Sequence, residues 1–359
     1  MIDFTAGGIF AAALGTRSRV IKRAISRVDD VCCYAPRFGN YWRERYYELL
    51  REVTGFECAV AFCEGSVAVE ACWRICRVYT GRPGIWGGLV DPDEVGSDRP
   101  RCDAFHGWTL GAMIAAGRMT YPELGIYPEL GASRFGQSSS MTACMIIEPY
   151  HAPSAQFHRI DPTINRIRGL QEEFPDILLC IDEIQGGFGR TGKMFAYEHY
   201  DGLKPDFVTV GKLAGGGMPL SAVLGPKEIM ESDAVKEFGH LHSTHSGHPV
   251  MCSIGIAVLE EIIGQKLIER SAELGFLLHQ GLSSFPVQTH GKGLMAGLAF
   301  RDKEEADEVV RECEERELLI VPTGRKWAKI GPKLTISRKD LKRGIEILRE
   351  VVEEVMLQR

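Results

Sequence analysis

No apolar run in this sequence reaches the ~20 residues that a membrane-spanning helix requires. No two cysteines stand in the C-x-x-C spacing of metal knuckles and redox pairs. An excess of positive charge is also missing. With 42 Lys and Arg against 48 Asp and Glu, the formal net charge is -6. That balance argues against a general nucleic-acid binder, since phosphate neutralisation needs a basic surface, and it leaves a local basic groove open. The N-terminal "MIDFTAGGIF" has no basic stretch before its short apolar segment. No secretory signal is read there, and a cytoplasmic location is expected. Internal repeats and low-complexity tracts are absent as well.

What is present is a chain of 359 residues, 45% hydrophobic. It can bury a substantial core and form two structural domains, or one large domain with an appendage. Its 11 cysteines are scattered, several of them inside apolar runs such as "CAVAFC" (58–63) and "ILLCI" (177–181). Cysteine in such surroundings behaves as a small buried hydrophobe, so reduced thiols are expected rather than disulfides.

The runs 58–63, "ACMII" (143–147), 177–181 and "FVTV" (207–210) are short and lack polar alternation. They read as strands buried on both faces, as in a parallel sheet covered by helices. Between them lie helical patterns: one follows Ser66 and stops at Gly81, and another starts at Asp161 and Pro162 and ends near Phe174. This alternation predicts an α/β fold. From about Pro249 one long helical pattern runs to "HQGL", followed by strand-like "GLMAGLAF" and "LLIV". A last helix is capped by Ser337, with Leu341, Ile345, Leu348 and Val352 on one face. The chain is divided accordingly into an N-terminal segment (1–30) packing with the small domain, a large domain (31–261) and a small α+β domain (262–359).

Ligands of open α/β sheets bind beyond the carboxyl ends of the strands. Glu148 follows one apolar run, Asp182 and Gln185 another, Lys212 a third, and Gly65 with Ser66 a fourth at a helix start. An amine for a Schiff base, a carboxylate for a ring nitrogen and a helix N-terminus for a phosphate are what pyridoxal phosphate needs. The rival reading of Lys212 is a P-loop. It fails because the glycines follow this lysine instead of preceding it, and Leu213 stands where a hydroxyl is required.

The sequence resembles the class III aminotransferase family of pyridoxal-phosphate enzymes. "IDEIQGGFGRTGKMFAYEHY" (181–200) is similar to its D-E-x-Q-x-G-x-G-R-T-G segment, and "PDFVTVGKLAGGGMPLSAVLG" (205–225) to its lysine segment. "FHGWT" (105–109), "IIEP" (146–149), "STHSGHP" (243–249), "GKGLMAGL" (291–298) and "GPKLTIS" (331–337) follow in the family's order. The resemblance implies fold type I, with a large domain built on a mainly parallel sheet flanked by helices and a small C-terminal α+β domain. It implies pyridoxal 5'-phosphate as cofactor, held as a Schiff base by Lys212, which later moves the proton at the substrate carbon. Asp182 would pair with the ring nitrogen and Gln185 with the phenolic oxygen. Ile184 and Phe105 would cover the two ring faces. Gly65 and Ser66 would bind the phosphate together with Thr244 of a partner subunit, which makes a homodimer part of the site. His240, His242, His245 and His248 fall in or beside that phosphate loop, so no metal is expected.

Departures from the pattern concern the substrate. Lys329 stands where the family's carboxylate-binding arginine is expected, and Lys333 replaces a proline. Lysine offers a point charge where arginine offers a two-pronged grip. "EPYHAPSA" carries Pro153 and Ser154 where many members have an acidic gate, and Glu64 enters the phosphate loop. The sequence begins almost at the family's D-F-x-x-G strand, which suggests an open entrance. An aminotransferase acting on an amine or amino acid of unusual kind is therefore the leading expectation. The second is a decarboxylase or lyase acting on an amino-acid moiety attached to a larger carrier such as a modified nucleotide. A non-catalytic relative that only binds the cofactor is the third, and the joint presence of Lys212, Asp182 and Gln185 argues against it.

Overall fold

The computed structural model describes residues 1–29, 38–87, 104–115, 139–157, 160–238 and 241–357. The main elements begin with helices α1 (Arg19–Ser26) and α2 (Tyr41–Thr54), strand β1 (Cys58–Phe62) and helix α3 (Gly65–Thr80). Strands β2 (Gly84–Gly87) and β3 (Thr142–Ile147), helix α4 (Ile160–Glu173) and strands β4 (Leu178–Asp182), β5 (Phe207–Val210) and β6 (Ser221–Gly225) follow. Next come helices α5 (Pro249–Gly264) and α6 (Leu267–Leu282), strands β7 (Gln288–Lys292) and β8 (Met295–Ala299) and helix α7 (Lys303–Glu315). Strands β9 (Val321–Pro322) and β10 (Trp327–Ile330) and helix α8 (Arg338–Leu357) complete the set.

All four uninterrupted apolar runs form strands of one six-stranded sheet, ordered β1-β6-β5-β4-β3-β2. Strands β2 to β5 are mutually parallel, and β6 runs antiparallel to both of its neighbours. Every residue of β3, β5 and β6 is buried, which is why these runs show no polar alternation. On one face Cys144, Cys180, Phe207 and Val223 pack against α3; on the other, Met145, Ile181 and Val208 join the main core with residues of α2 and α5. Truncating one such side chain, for instance Ile181→Ala, costs about 2–5 kcal/mol. A second, antiparallel sheet of four strands is ordered β7-β8-β10-β9, and the short strand Ile2–Asp3 pairs in parallel with Leu318–Leu319. No helix among the described residues is long and apolar enough to cross a membrane.

Several sequence expectations change in detail. The long helical pattern after Pro249 is two helices, because the chain turns at Gln265 and Lys266, the latter with a left-handed φ of 50°. "LLIV" is split between two sheets, Leu318–Leu319 with the N-terminal strand and Val321 in β9. Strands β2, β6, β7 and β10 carry no expectation from the sequence. β6 follows a glycine-rich turn without a break of its own, and β7, "QTHGK", is an edge strand with little apolar content. Ser337 caps α8 as anticipated: its Oγ accepts from Asp340 N at 2.9 Å.

Candidate active site

Because β2 to β5 are parallel, their carboxyl ends open on one side of the sheet. A cavity of about 750 Å³ lies there, lined by Glu148 just beyond β3, Asp182 at the end of β4 and Lys212 just beyond β5. The first turn of α3 contributes Gly65 and Ser66, and the loop 105–108 closes one wall. Ile184, Gln185, Phe105 and Lys329 also line it. Every site residue read from the sequence therefore meets at this cavity except Thr244, which is exposed and lies outside this chain's cavity wall. His240 falls outside the described residues.

The turn after β5 puts Lys212 in place. Gly211 is extended, Lys212 adopts φ 42°, and a short 3-10 segment runs to Gly215. A left-handed non-glycine residue costs about 1–3 kcal/mol and persists where its surroundings hold it. Here they do so through close approach: a Cβ on Gly216 would meet Val258 Cγ2 at 2.7 Å and Ile21 Cδ1 at 2.9 Å. The glycine run thus lets α1 and α5 press against the lysine turn. Burial lowers the Lys212 pKa, and the charges of Asp182 and Glu148 oppose that shift in part. A buried amine that loses its proton more readily is a better nucleophile.

Asp182 is fixed from two sides. Ile184 N donates to Oδ1 at 3.1 Å, and His106 Nδ1 lies 2.9 Å from Oδ2, with both side chains buried. A carboxylate only accepts, so Nδ1 carries the proton of this bond. His106 is held in turn by its loop. Phe105 N donates to Glu148 Oε2 at 2.8 Å, Trp108 N to Ser66 Oγ at 3.2 Å, and Thr109 Oγ1 to Glu70 Oε1 at 2.7 Å. Gly107 has φ +124°, and a Cβ there would sit 2.2 Å from Ser66 Oγ, so only glycine lets the loop lie this close to α3.

At the start of α3 the N-cap residue Glu64 makes no side-chain capping bond. Glu64 is exposed and does not line the cavity. The amides of Gly65 and Ser66, which have no partner within a helix, are left to face a ligand. Ile184 is wedged between two glycines: a Cβ on Gly65 would meet it at 2.8 Å and one on Gly211 at 3.2 Å. Gln185 is buried with its Oε1 unpartnered, an amide awaiting a polar group.

Lys329, on β10, enters from the second sheet. Its Nζ donates to Ala152 O at 2.7 Å and lies 5.2 Å from the centre of the Phe10 ring. Burial, with help from the positive charge of Lys212, lowers its pKa to about 7. The other side of this region holds Arg190, fully buried, which donates to the carbonyls of Pro332 and of Leu294 and lies 5.5 Å from the same Phe10 ring. Burial also raises Glu148 to about 7 and Glu183 to about 8, the latter while accepting from Ala196 N and Tyr197 N. The sequence reading missed His106, Arg190 and Phe10. The motifs "FHGWT" and "GRTG" contain the first two, but nothing in a sequence says which buried group each one meets.

The buried amine, the carboxylate with two donors, the unpartnered amide and the open helix N-terminus fit pyridoxal 5'-phosphate, and the sheet order defines fold type I of the enzymes that use it. The chain belongs to the class III aminotransferases: the family described as "Aminotransferase class-III" matches residues 127–352. Acetylornithine aminotransferase of Caldanaerobacter subterraneus subsp. tengcongensis is 30% identical over 99% of this chain and 90% of its own length. Ornithine aminotransferase of Emericella nidulans is 28% identical over 94% of this chain and 78% of its own. In fold the protein matches ornithine aminotransferase of Toxoplasma gondii with a TM-score of 0.83 at 21% identity, covering 99% of this chain and 86% of that one. The taurine:2-oxoglutarate aminotransferase of Bifidobacterium kashiwanohense gives the same TM-score at 22% identity, over 98% of this chain and 88% of that one. The protein is accordingly a pyridoxal-phosphate-dependent aminotransferase acting on amines or amino acids.

Proposed function

We propose that this aminotransferase works best on a primary amine whose reacting carbon carries no carboxylate, such as a terminal amine. The observation behind this is the Lys329 contact. The cation at the usual carboxylate-binding position is spent on the Ala152 carbonyl at 2.7 Å and is only partly charged at neutral pH. A partly neutral lysine cannot give a carboxylate the paired hydrogen bonds that an arginine gives. The names of the relatives are in keeping with it, since putrescine aminotransferase of Pectobacterium atrosepticum is among them at 28% identity, over 81% of this chain and 65% of its own length. Putrescine is a diamine without a carboxylate.

In this reading bound pyridoxal phosphate supplies an electron-withdrawing ring that weakens the bonds of the amine-bearing carbon. Lys212 holds the cofactor and afterwards moves the proton at that carbon. Asp182, oriented by His106 and Ile184 N, holds the ring nitrogen in its charged form. Gln185 offers its side-chain amide N–H to the ring's phenolic oxygen, and Ile184 and Phe105 enclose the ring. Gly65 and Ser66 bind the phosphate through the first turn of α3. Thr244 completes that contact from a second copy in a homodimer, a role its exposure supports. The division at residues 30 and 261 is part of the same reading. The six-stranded sheet spans 58–225, the four-stranded sheet 288–330, and Ile2–Asp3 pairs with Leu318–Leu319.

A panel of donors tests the proposal, with a terminal diamine and an α-amino acid of equal length compared at a saturating keto acceptor. The diamine is expected to give a kcat/KM at least about tenfold higher, the worth of roughly one good hydrogen bond. Equal or reversed values would reject the terminal-amine reading while leaving the aminotransferase assignment intact.

A further inference from the structure

Three cysteines scattered along the chain, Cys72, Cys76 and Cys180, meet at one point in the core, and Cys144 lies beside them. Cys72 and Cys76 lie one turn apart on the inner face of α3, Cys144 on β3 and Cys180 on β4. All four are completely buried, and all are reduced. Cys180 Sγ lies 3.5 Å from Cys72 Sγ and 3.6 Å from Cys76 Sγ, and these three sulfurs are all within 4.8 Å of one another. Cys144, on the neighbouring strand, is next to Cys76 and Cys180 but outside that group of three, so it must move toward them to complete a four-sulfur site.

Simple packing does not call for this arrangement. Alanine or valine would fill the same apolar space without placing weak donors against one another. The distances match another demand. A tetrahedral site with zinc–sulfur bonds of about 2.3 Å sets its sulfur–sulfur edges at about 3.8 Å. The ligands of an iron–sulfur cluster are spread around several irons, so edges this short suit a single ion. A disulfide needs sulfurs about 2.05 Å apart and would engage only two of the four. Residues at i and i+4 share one helix face, the placement that lets two ligands of one helix reach the same ion. The two remaining sulfurs come from adjacent parallel strands on the face that meets α3.

We propose that Cys72, Cys76, Cys144 and Cys180 form a structural site for one zinc(II) ion. Each sulfur that binds gives its proton to solvent, and no electron is transferred. The thiolates leave the site with a negative charge, against which the charge of Arg77 acts at Cys144. The ion would tie α3, whose first turn lines the cofactor cavity, to β3 and β4, whose ends carry Glu148 and Asp182. Cys180 is two residues before Asp182 on the same strand. A loaded site therefore fixes helix α3 against the strands that end at the cavity.

The test is elemental analysis of the full-length, cofactor-loaded protein produced in zinc-supplemented medium and never exposed to chelators. About one zinc per chain is expected, with X-ray absorption showing only sulfur neighbours at about 2.3 Å. Cys72→Ser is expected to cut the zinc content at least about fivefold, and Cys313→Ser, a buried cysteine of α7 outside the cluster, to leave it unchanged. Since Cys72→Ser can also impair folding, the wild-type protein is loaded with cobalt(II) as well. Strong thiolate-to-cobalt charge-transfer absorption that one equivalent of zinc abolishes supports the site. The proposal is overturned by wild-type protein without zinc or that absorption, by a disulfide among the four, by zinc bound through nitrogen or oxygen, or by folded Cys72→Ser that keeps its zinc.

Discussion

His106 Nδ1 lies 2.9 Å from Asp182 Oδ2, both side chains buried, although 76 residues separate them in the chain. In the proposed site the contact makes the loop 104–109 a support of Asp182 and not merely a wall of the cavity. It turns a motif histidine into the group that orients the Asp182 carboxylate.

A hydrogen bond to a charged group is worth about 1.5–3 kcal/mol. His106→Ala is therefore expected to weaken pyridoxal phosphate binding roughly 10- to 100-fold, as read by cofactor titration. His106→Asn, which keeps a donor, is expected to recover part of the loss. Unchanged affinity in both variants would remove His106 from the site.

Gly107 offers a steric counterpart. In Gly107→Ala the new methyl would stand 2.2 Å from Ser66 Oγ at a φ of +124°. The loop must then lift from α3, with strain of about 1–3 kcal/mol at the substituted residue. Weaker cofactor binding with a small fall in thermal stability is the expected outcome. A large fall in stability with normal cofactor affinity would mean that the glycine serves the fold alone.

These two positions show how far the sequence could be read. The strand ends were legible because β3 to β5 are buried on both faces and so appear as bare apolar runs. Asp182 and Lys212 are the first polar residues after such runs and Gln185 follows Asp182 by three, while their expected roles came from the family resemblance. Which groups meet across the sheet was not legible. The His106–Asp182 bond, the convergence of Arg190 and Lys329 on Phe10, and the cysteine cluster depend on strand order and on loops tied down by backbone carbonyls. Strand β7 was hidden for another reason: an edge strand of polar residues and glycine lacks the apolar run that marks its neighbour β8.

Lys329→Arg tests the substrate reading from the opposite direction. A guanidinium can bond the Ala152 carbonyl and still present a donor pair to a carboxylate. KM for a carboxylate-bearing substrate is expected to fall about tenfold, while that for a diamine stays the same. Equal effects on both would show that Lys329 does not sense the carboxylate.

The pH dependence follows from the same residue. The pKa of Lys329 is lowered to about 7, so the amine gains its charge as pH falls through that value. Only the charged form attracts a carboxylate. Inhibition by a simple dicarboxylate is therefore expected to strengthen from pH 8 to pH 6, roughly tenfold at most, given one titrating group. In Lys329→Met this trend should vanish, and a trend that survives belongs to another group.

The most direct test of the account concerns Lys212. The purified, cofactor-loaded protein is reduced with borohydride, digested and analysed by mass spectrometry. The phosphopyridoxyl group is predicted on the peptide that contains Lys212, and Lys212→Ala should carry none. A label on Lys329 or any other lysine, or no label on fully loaded protein, would contradict the central assignment.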